Sequence, residues 1–214
     1  MQTHTIQKIE KTAIGIAFGG VPVIACFLAG WWICVSLVAE SQVFLCALAG
    51  LALGILVNAI FLAGWVRRAH QMKSWIWMGV YVFYSIGMFG FFMGVPVFNV
   101  ILALPAGIFV GRWLACAGAD STRMRKAARQ AAVFTTTVLG LVCITSAFIA
   151  LASPSTSSDL QGMLGLPFQV TPVMIIGLIL GGGALILALD WWLTVKSVER
   201  AFGYFAAEAR PPGT

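Results

Sequence analysis

The chain has 214 residues, 60% of them apolar and 9% charged, with 13 Lys+Arg against 7 Asp+Glu. A soluble globular domain has roughly a quarter of its residues charged, so this composition excludes one and makes lipid the main solvent. A chain this short has room for a single polytopic membrane domain over residues 1–214 and for no separate soluble domain.

The charges fall between long apolar runs. About 20 residues of helix cross about 30 Å of hydrocarbon, so the spans can be read in chain order. Span one runs from Ala13 to Ala39 and stops at Glu40-Ser41-Gln42. It is longer than a signal-peptide core and no small-residue cleavage pattern comes after it, so it is read as a span of the mature protein. Span two runs from Val43 to Val66 and stops at Arg67-Arg68, in a polar stretch that continues to Lys73.

The 37 residues from Trp75 to Gly111 carry no charge, too many for one comfortable span and enough for two short ones. The break is expected at Gly94-Val95-Pro96, because proline lacks a backbone donor and disfavours helix in the residue before it. Span three is therefore Trp75 to Met93 and span four Val97 to Ala115. A basic loop around Arg123, Arg125, Lys126 and Arg129 leads to span five, Ala131 to Ala152. A polar loop, Ser153 to Asp159, leads to span six, Val170 to Val195, and then to a short polar tail. The expected fold class is an all-α integral membrane bundle of six transmembrane helices.

Lys and Arg near span ends stay on the cytoplasmic side. With six spans and a cytoplasmic N-terminus, all 13 basic residues fall inside: Lys8, Lys11, Arg67, Arg68, Lys73, Arg112, Arg123, Arg125, Lys126, Arg129, Lys196, Arg200 and Arg210. Treating residues 75–111 as one tilted helix would put the Arg123 cluster outside, which gives the turn at Pro96 independent support. Both termini are expected in the cytoplasm, and the chain in the plasma or inner membrane. The net charge of +6 then forms a collar facing anionic lipid headgroups, at about 1 kcal/mol per residue near the surface, and calls for no nucleic acid. Trp75, Trp77, Trp113, Trp191 and Trp192 fall near cytoplasmic span ends, and Trp31 and Trp32 near the outer end of span one, as interfacial anchors do.

Lipid gives helices no hydrophobic reason to associate, so small residues that allow close backbone approach matter. GxxxG pairs occur at Gly15/Gly19, Gly50/Gly54, Gly90/Gly94, Gly107/Gly111 and Gly177/Gly181, and a tight bundle is expected. Asn58 continues the ridge of Gly50 and Gly54, and Asn99 that of Gly107 and Gly111, so each amide should face the interior. The two lie at different depths and are not expected to bond each other. Such faces also suit a membrane protein partner or a second copy of the chain.

An ionisable residue inside a membrane is a functional flag, since a charge at the bilayer centre costs at least about 2.5 kcal/mol. Asp190 is the candidate, read either as a proton- or cation-handling group or as an interfacial residue paired with a nearby Lys or Arg. Tyr81, Tyr84 and Ser85 share a helix face near mid-membrane and form a hydroxyl stripe, as do Thr135, Thr136, Thr137, Thr145 and Ser146 in span five. Pro22 and Pro105 interrupt spans one and four, and broken helices can present free carbonyls. Gly20-Val21-Pro22-Val23 recurs as Gly94-Val95-Pro96-Val97, a weak hint of an inverted repeat.

Enzyme signatures are missing: His4 and His70 lie outside the spans, and no acidic pair, HExxH or glycine-flanked Ser nucleophile is present. The five cysteines, Cys26, Cys34, Cys46, Cys116 and Cys143, form no CxxC pair, and neither a disulfide framework, a thiolate metal site nor any cofactor is expected. The general build, short Gly-rich spans with little outside the membrane, is similar to that of the substrate-binding subunits of energy-coupling vitamin transporters. Together these features point to a solute transporter or membrane-embedded binding subunit, with Asn58, Tyr81, Tyr84, Ser85, Asn99 and Asp190 as candidate ligand contacts. The alternative is a non-catalytic scaffold or assembly subunit that packs with a partner through GxxxG faces.

Overall fold

The computed structural model describes residues 2–37, 39–92, 94–165 and 167–208. Met93, the expected end of span three, and Arg210 of the basic collar lie outside the described residues. Among the described residues, six helices are long and apolar enough to cross a membrane. They are α1 (Gln2–Leu37), α2 (Glu40–Arg68), α3 (Ser74–Phe91), α4 (Ala103–Cys116, with a preceding 3-10 segment), α5 (Ser121–Ala152) and, after a short α6 (Thr156–Leu164), α7 (Pro172–Glu208). The chain is a multi-pass, all-helical membrane protein.

The turn expected before Pro96 is present. Gly94 has a φ of 83°, a region where only glycine escapes a Cβ penalty, and its N–H donates to the Phe89 carbonyl at 2.8 Å. Beyond this turn the chain departs from the regular helix expected from Val97. Residues Pro96–Leu102 wind as a 3-10 helix of seven residues, longer than is usual for that form. Within the span Pro96–Cys116 the winding changes from 3-10 to α at Ala103, and Pro105 stands in the first turn of α4, where an α-helix tolerates a missing N–H. The two GVPV segments adopt unlike structures, one inside α1 and the other in this turn, so they encode no repeat.

Three polar stretches read as loop or tail are helical. Charge marks where lipid ends, whereas a helix ends where its backbone groups find other partners. The basic segment around Arg123 belongs to α5, because Asp120 Oδ1 accepts the Arg123 backbone N–H at 2.9 Å and Arg, Lys, Ala and Gln are strong helix formers. The loop after Ser153 contains α6, which ends at Gly165 with φ 61°. The residues beyond Val195 continue α7 to Glu208.

By packing density the chain divides into two compact units, Met1–Tyr84 and Ser85–Thr214. In the first, α1 and α2 form an antiparallel hairpin. Gly54 lies so close to α1 that a Cβ there would come within 2.6 Å of the Val23 Cα, and Gly50 meets the Cys26 carbonyl. A disulfide joins Cys34 to Cys46 across the turn, with 6.3 Å between the Cα atoms, correcting the expectation of none. No CxxC spacing announces it: the antiparallel crossing brings together cysteines 12 residues apart in sequence. At the other end of the hairpin Ile14, Phe18 and Ala69 are buried, with Trp77 of α3 edge-on to Phe18 at 4.8 Å between ring centroids.

In the second unit α7 packs against both α4 and α5. A Cβ on Gly107 would lie 2.8 Å from the Thr194 carbonyl oxygen, and Gly111 is equally tight against Val198 and Ala201. This register runs α4 parallel to α7. Thr135 meets Thr194, Thr136 meets Asp190 and Gly140 meets Leu187, so α5 is antiparallel to α7. Gly177 and Gly181, expected on a packed face, have no neighbour within 4 Å among the described residues. Around them α7 is exposed on nearly every side, as a helix facing lipid would be.

Candidate functional site

The candidate residues separate by unit and by what they bond. In the first unit, Pro22 lacks the N–H that would bond one turn back in α1. The carbonyls on either side of the Phe18 carbonyl, which Pro22 leaves without its helical donor, accept from side chains. Asn58 Nδ2 donates to the Gly19 carbonyl at 2.8 Å, and the Tyr84 hydroxyl donates to the Ala17 carbonyl at 2.9 Å and more weakly to that of Ile16 at 3.3 Å. Gly20 leaves room for the Tyr84 ring, where a Cβ would collide with the phenol oxygen. Asn58 and Tyr84 thus staple a proline-weakened helix to α2 and α3. Tyr81 is half-buried.

Ser85, the third residue of the stripe, falls in the second unit. There it is 2% exposed, and its carbonyl accepts from Asn99 Nδ2 at 2.8 Å. Asn99, also 2% exposed, projects from the 3-10 segment. The hydroxyls of α5 likewise divide. Ser146 donates to the Gly94 carbonyl at 2.7 Å and holds the turn. Thr145 bonds the Leu141 carbonyl of its own helix at 2.9 Å, and Thr137 is exposed.

Thr135 and Thr136 face α7 and meet the most unusual group in the protein. Asp190 is 0% exposed, on a helix that has already run about 27 Å from Pro172. Its Oδ2 accepts from Thr136 Oγ1 at 3.0 Å, while its Oδ1 is buried without a hydrogen-bond partner among the described residues. Among the described residues it meets no Lys or Arg of the kind considered from sequence: Lys196 bridges Glu199 at 2.8 Å instead. One turn along α7 from Asp190, Thr194 is also 0% exposed and its hydroxyl shares a 2.9 Å bond with that of Thr135. Ser197, buried a turn further on, packs on Gly107.

An isolated buried carboxylate is costly unless paired or neutralised, and here the bond it accepts comes from a neutral hydroxyl. Thr194 and Ser197 were not evident from sequence as part of this cluster. Their spacing from Asp190, four and seven residues, was the available signal. Asn99 Oδ1 is a second buried oxygen of the same unit without a partner among the described residues.

Comparison of the chain with known protein families, characterised proteins and solved structures finds no match.

Proposed function

We propose that the protein is a solute transporter, or the membrane-embedded binding subunit of one, in the plasma or inner membrane, with both termini cytoplasmic. The observation that carries this reading is Asp190. A carboxylate with one oxygen left bare inside a helix bundle is expensive to keep, and intramembrane carboxylates of this kind mark ion and substrate pathways. Its setting between α5 and α7, with hydroxyls on both helices, is that of a coupling or recognition group.

Orientation rests on two independent features. A six-span topology with a cytoplasmic N-terminus would put all 13 basic residues on one side, and the Cys34–Cys46 disulfide lies at the opposite end of the α1–α2 hairpin from Arg67 and Arg68. Disulfides persist in oxidising compartments outside the cytoplasm, so both features favour that turn outside, and the basic collar facing anionic headgroups inside.

Native mass spectrometry of protein extracted in gentle detergent from its own host tests the reading. A small solute retained by the wild-type chain supports it; a chain that carries only lipid removes it. A second reading, a non-catalytic assembly subunit, has one observation in its favour: the open Gly177/Gly181 ridge of α7, a small-residue surface of the kind on which membrane helices dock. A stoichiometric membrane protein partner lost on Gly181→Leu substitution, with no solute retained, would favour it.

A further inference from the structure

We infer that Asp190, with Thr136, Thr135 and Thr194, forms a binding site for one small monovalent alkali cation. The inference rests on the transport reading for its biological use, though not for its chemistry. Two observations carry it. The first is the donor set. The Asp190 carboxylate and the hydroxyls of Thr136, Thr135 and Thr194 are linked pairwise at 3.0 and 2.9 Å, on the touching faces of two antiparallel helices. Every one of these atoms is oxygen, the ligand type of hard cations. The second is the bare Oδ1 of a residue with 0% exposure: an acceptor sealed inside protein with no donor to satisfy it among the described residues.

Charge selects the occupant. The site supplies one negative charge, so a monovalent cation cancels it, whereas a divalent one would leave a net positive charge buried. A neutral or anionic solute group would leave the carboxylate uncompensated. Because Asp190 and Thr194 are one turn apart on α7 and Thr135 and Thr136 are adjacent on α5, both helices contribute. Occupancy therefore favours the arrangement in which α5 and α7 are in contact, which is how ion binding is coupled to helix movement in secondary transporters.

The experiment measures the unfolding temperature of the full-length protein in detergent as NaCl, LiCl or KCl replaces choline chloride at constant ionic strength, together with radioactive sodium bound at equilibrium. The expected result is a saturable rise in unfolding temperature with at least one alkali cation, and about one ion bound per chain. Asp190→Asn should abolish the response. Should that variant fail to fold, Thr136→Val serves in its place and should raise the half-saturating concentration about tenfold or more, with Thr136→Ser close to wild type. A wild-type protein indifferent to every alkali cation relative to choline, or an Asp190→Asn protein that responds as wild type does, overturns the inference. Cation binding without any retained solute would leave this site standing and count against the transport reading; retained solute without a cation response would do the reverse.

Discussion

The hydroxyl of Thr136 donates to Oδ2 of Asp190 across 3.0 Å, and this hydrogen bond ties the buried carboxylate to α5. The neighbouring residue, Thr135, makes the parallel contact one turn along, to Thr194. The α5–α7 interface is therefore held by polar contacts where most of the surrounding surface is apolar.

Removing that donor has a defined consequence. Thr136→Val removes the 3.0 Å bond to Oδ2, and a buried polar group that loses its bond costs about 1–3 kcal/mol. Thr136→Ser keeps the hydroxyl and should cost well under half of that. Thermal unfolding of the two variants, side by side in the same detergent, provides the measurement.

Close helix approach can be tested by pairing a tight glycine with an open one. Gly54→Ala would place a Cβ 2.6 Å from the Val23 Cα, a backbone contact that cannot rotate away, and overpacking of this kind costs about 1–3 kcal/mol. Gly177→Ala enters open space and should leave stability unchanged or slightly raised, since alanine is the better helix former. Equal effects from the two substitutions would contradict the packing described for α1 and α2.

Asn58 and Tyr84 each donate to α1 carbonyls, as helix staples do, while Asn58 Oδ1 is buried without a partner among the described residues. Asn58→Ala and Tyr84→Phe should each lower stability by about 0.6–2 kcal/mol while leaving any solute bound by the protein in place. Loss of solute in a variant that remains as stable as wild type would return these residues to the binding site.

The disulfide yields a topological prediction. In intact cells, a membrane-impermeant thiol reagent should label Cys34 and Cys46 only after reduction, and only from outside, whereas Cys116, an exposed residue at the end of α4, should be reached only once the membrane is opened. Labelling of Cys116 in sealed cells would contradict the assigned orientation.

Much of the architecture was legible because lipid imposes simple rules: a charge is costly in hydrocarbon, so Arg67 and Lys73 bracket spans faithfully, and Pro96 marks the one break that charge leaves silent. What charge does not mark is where a helix stops, which is why α5 and α7 extend through the segments of Arg123 and Lys196. The 3-10 winding before Ala103 was also hidden, since no residue in Val97–Leu102 is a poor α-helix former by more than a few tenths of a kcal/mol. Asp190 stood out in the sequence as a lone acid, but its partners did not. Thr136 lies 54 positions away, and only the register between α5 and α7, set by Gly140 against Leu187 and by the threonines themselves, brings the two together.

Whether Asp190 serves solute handling rather than folding is decided by native mass spectrometry of Asp190→Asn beside the wild type, with unfolding temperatures measured on the same samples. Asparagine keeps the shape and the acceptor for Thr136 but removes the charge. If the carboxylate is there for solute, the variant is at least as stable as wild type and no longer retains the wild-type solute. A variant that keeps the solute, or one that unfolds in proportion to its loss of solute, would contradict that role.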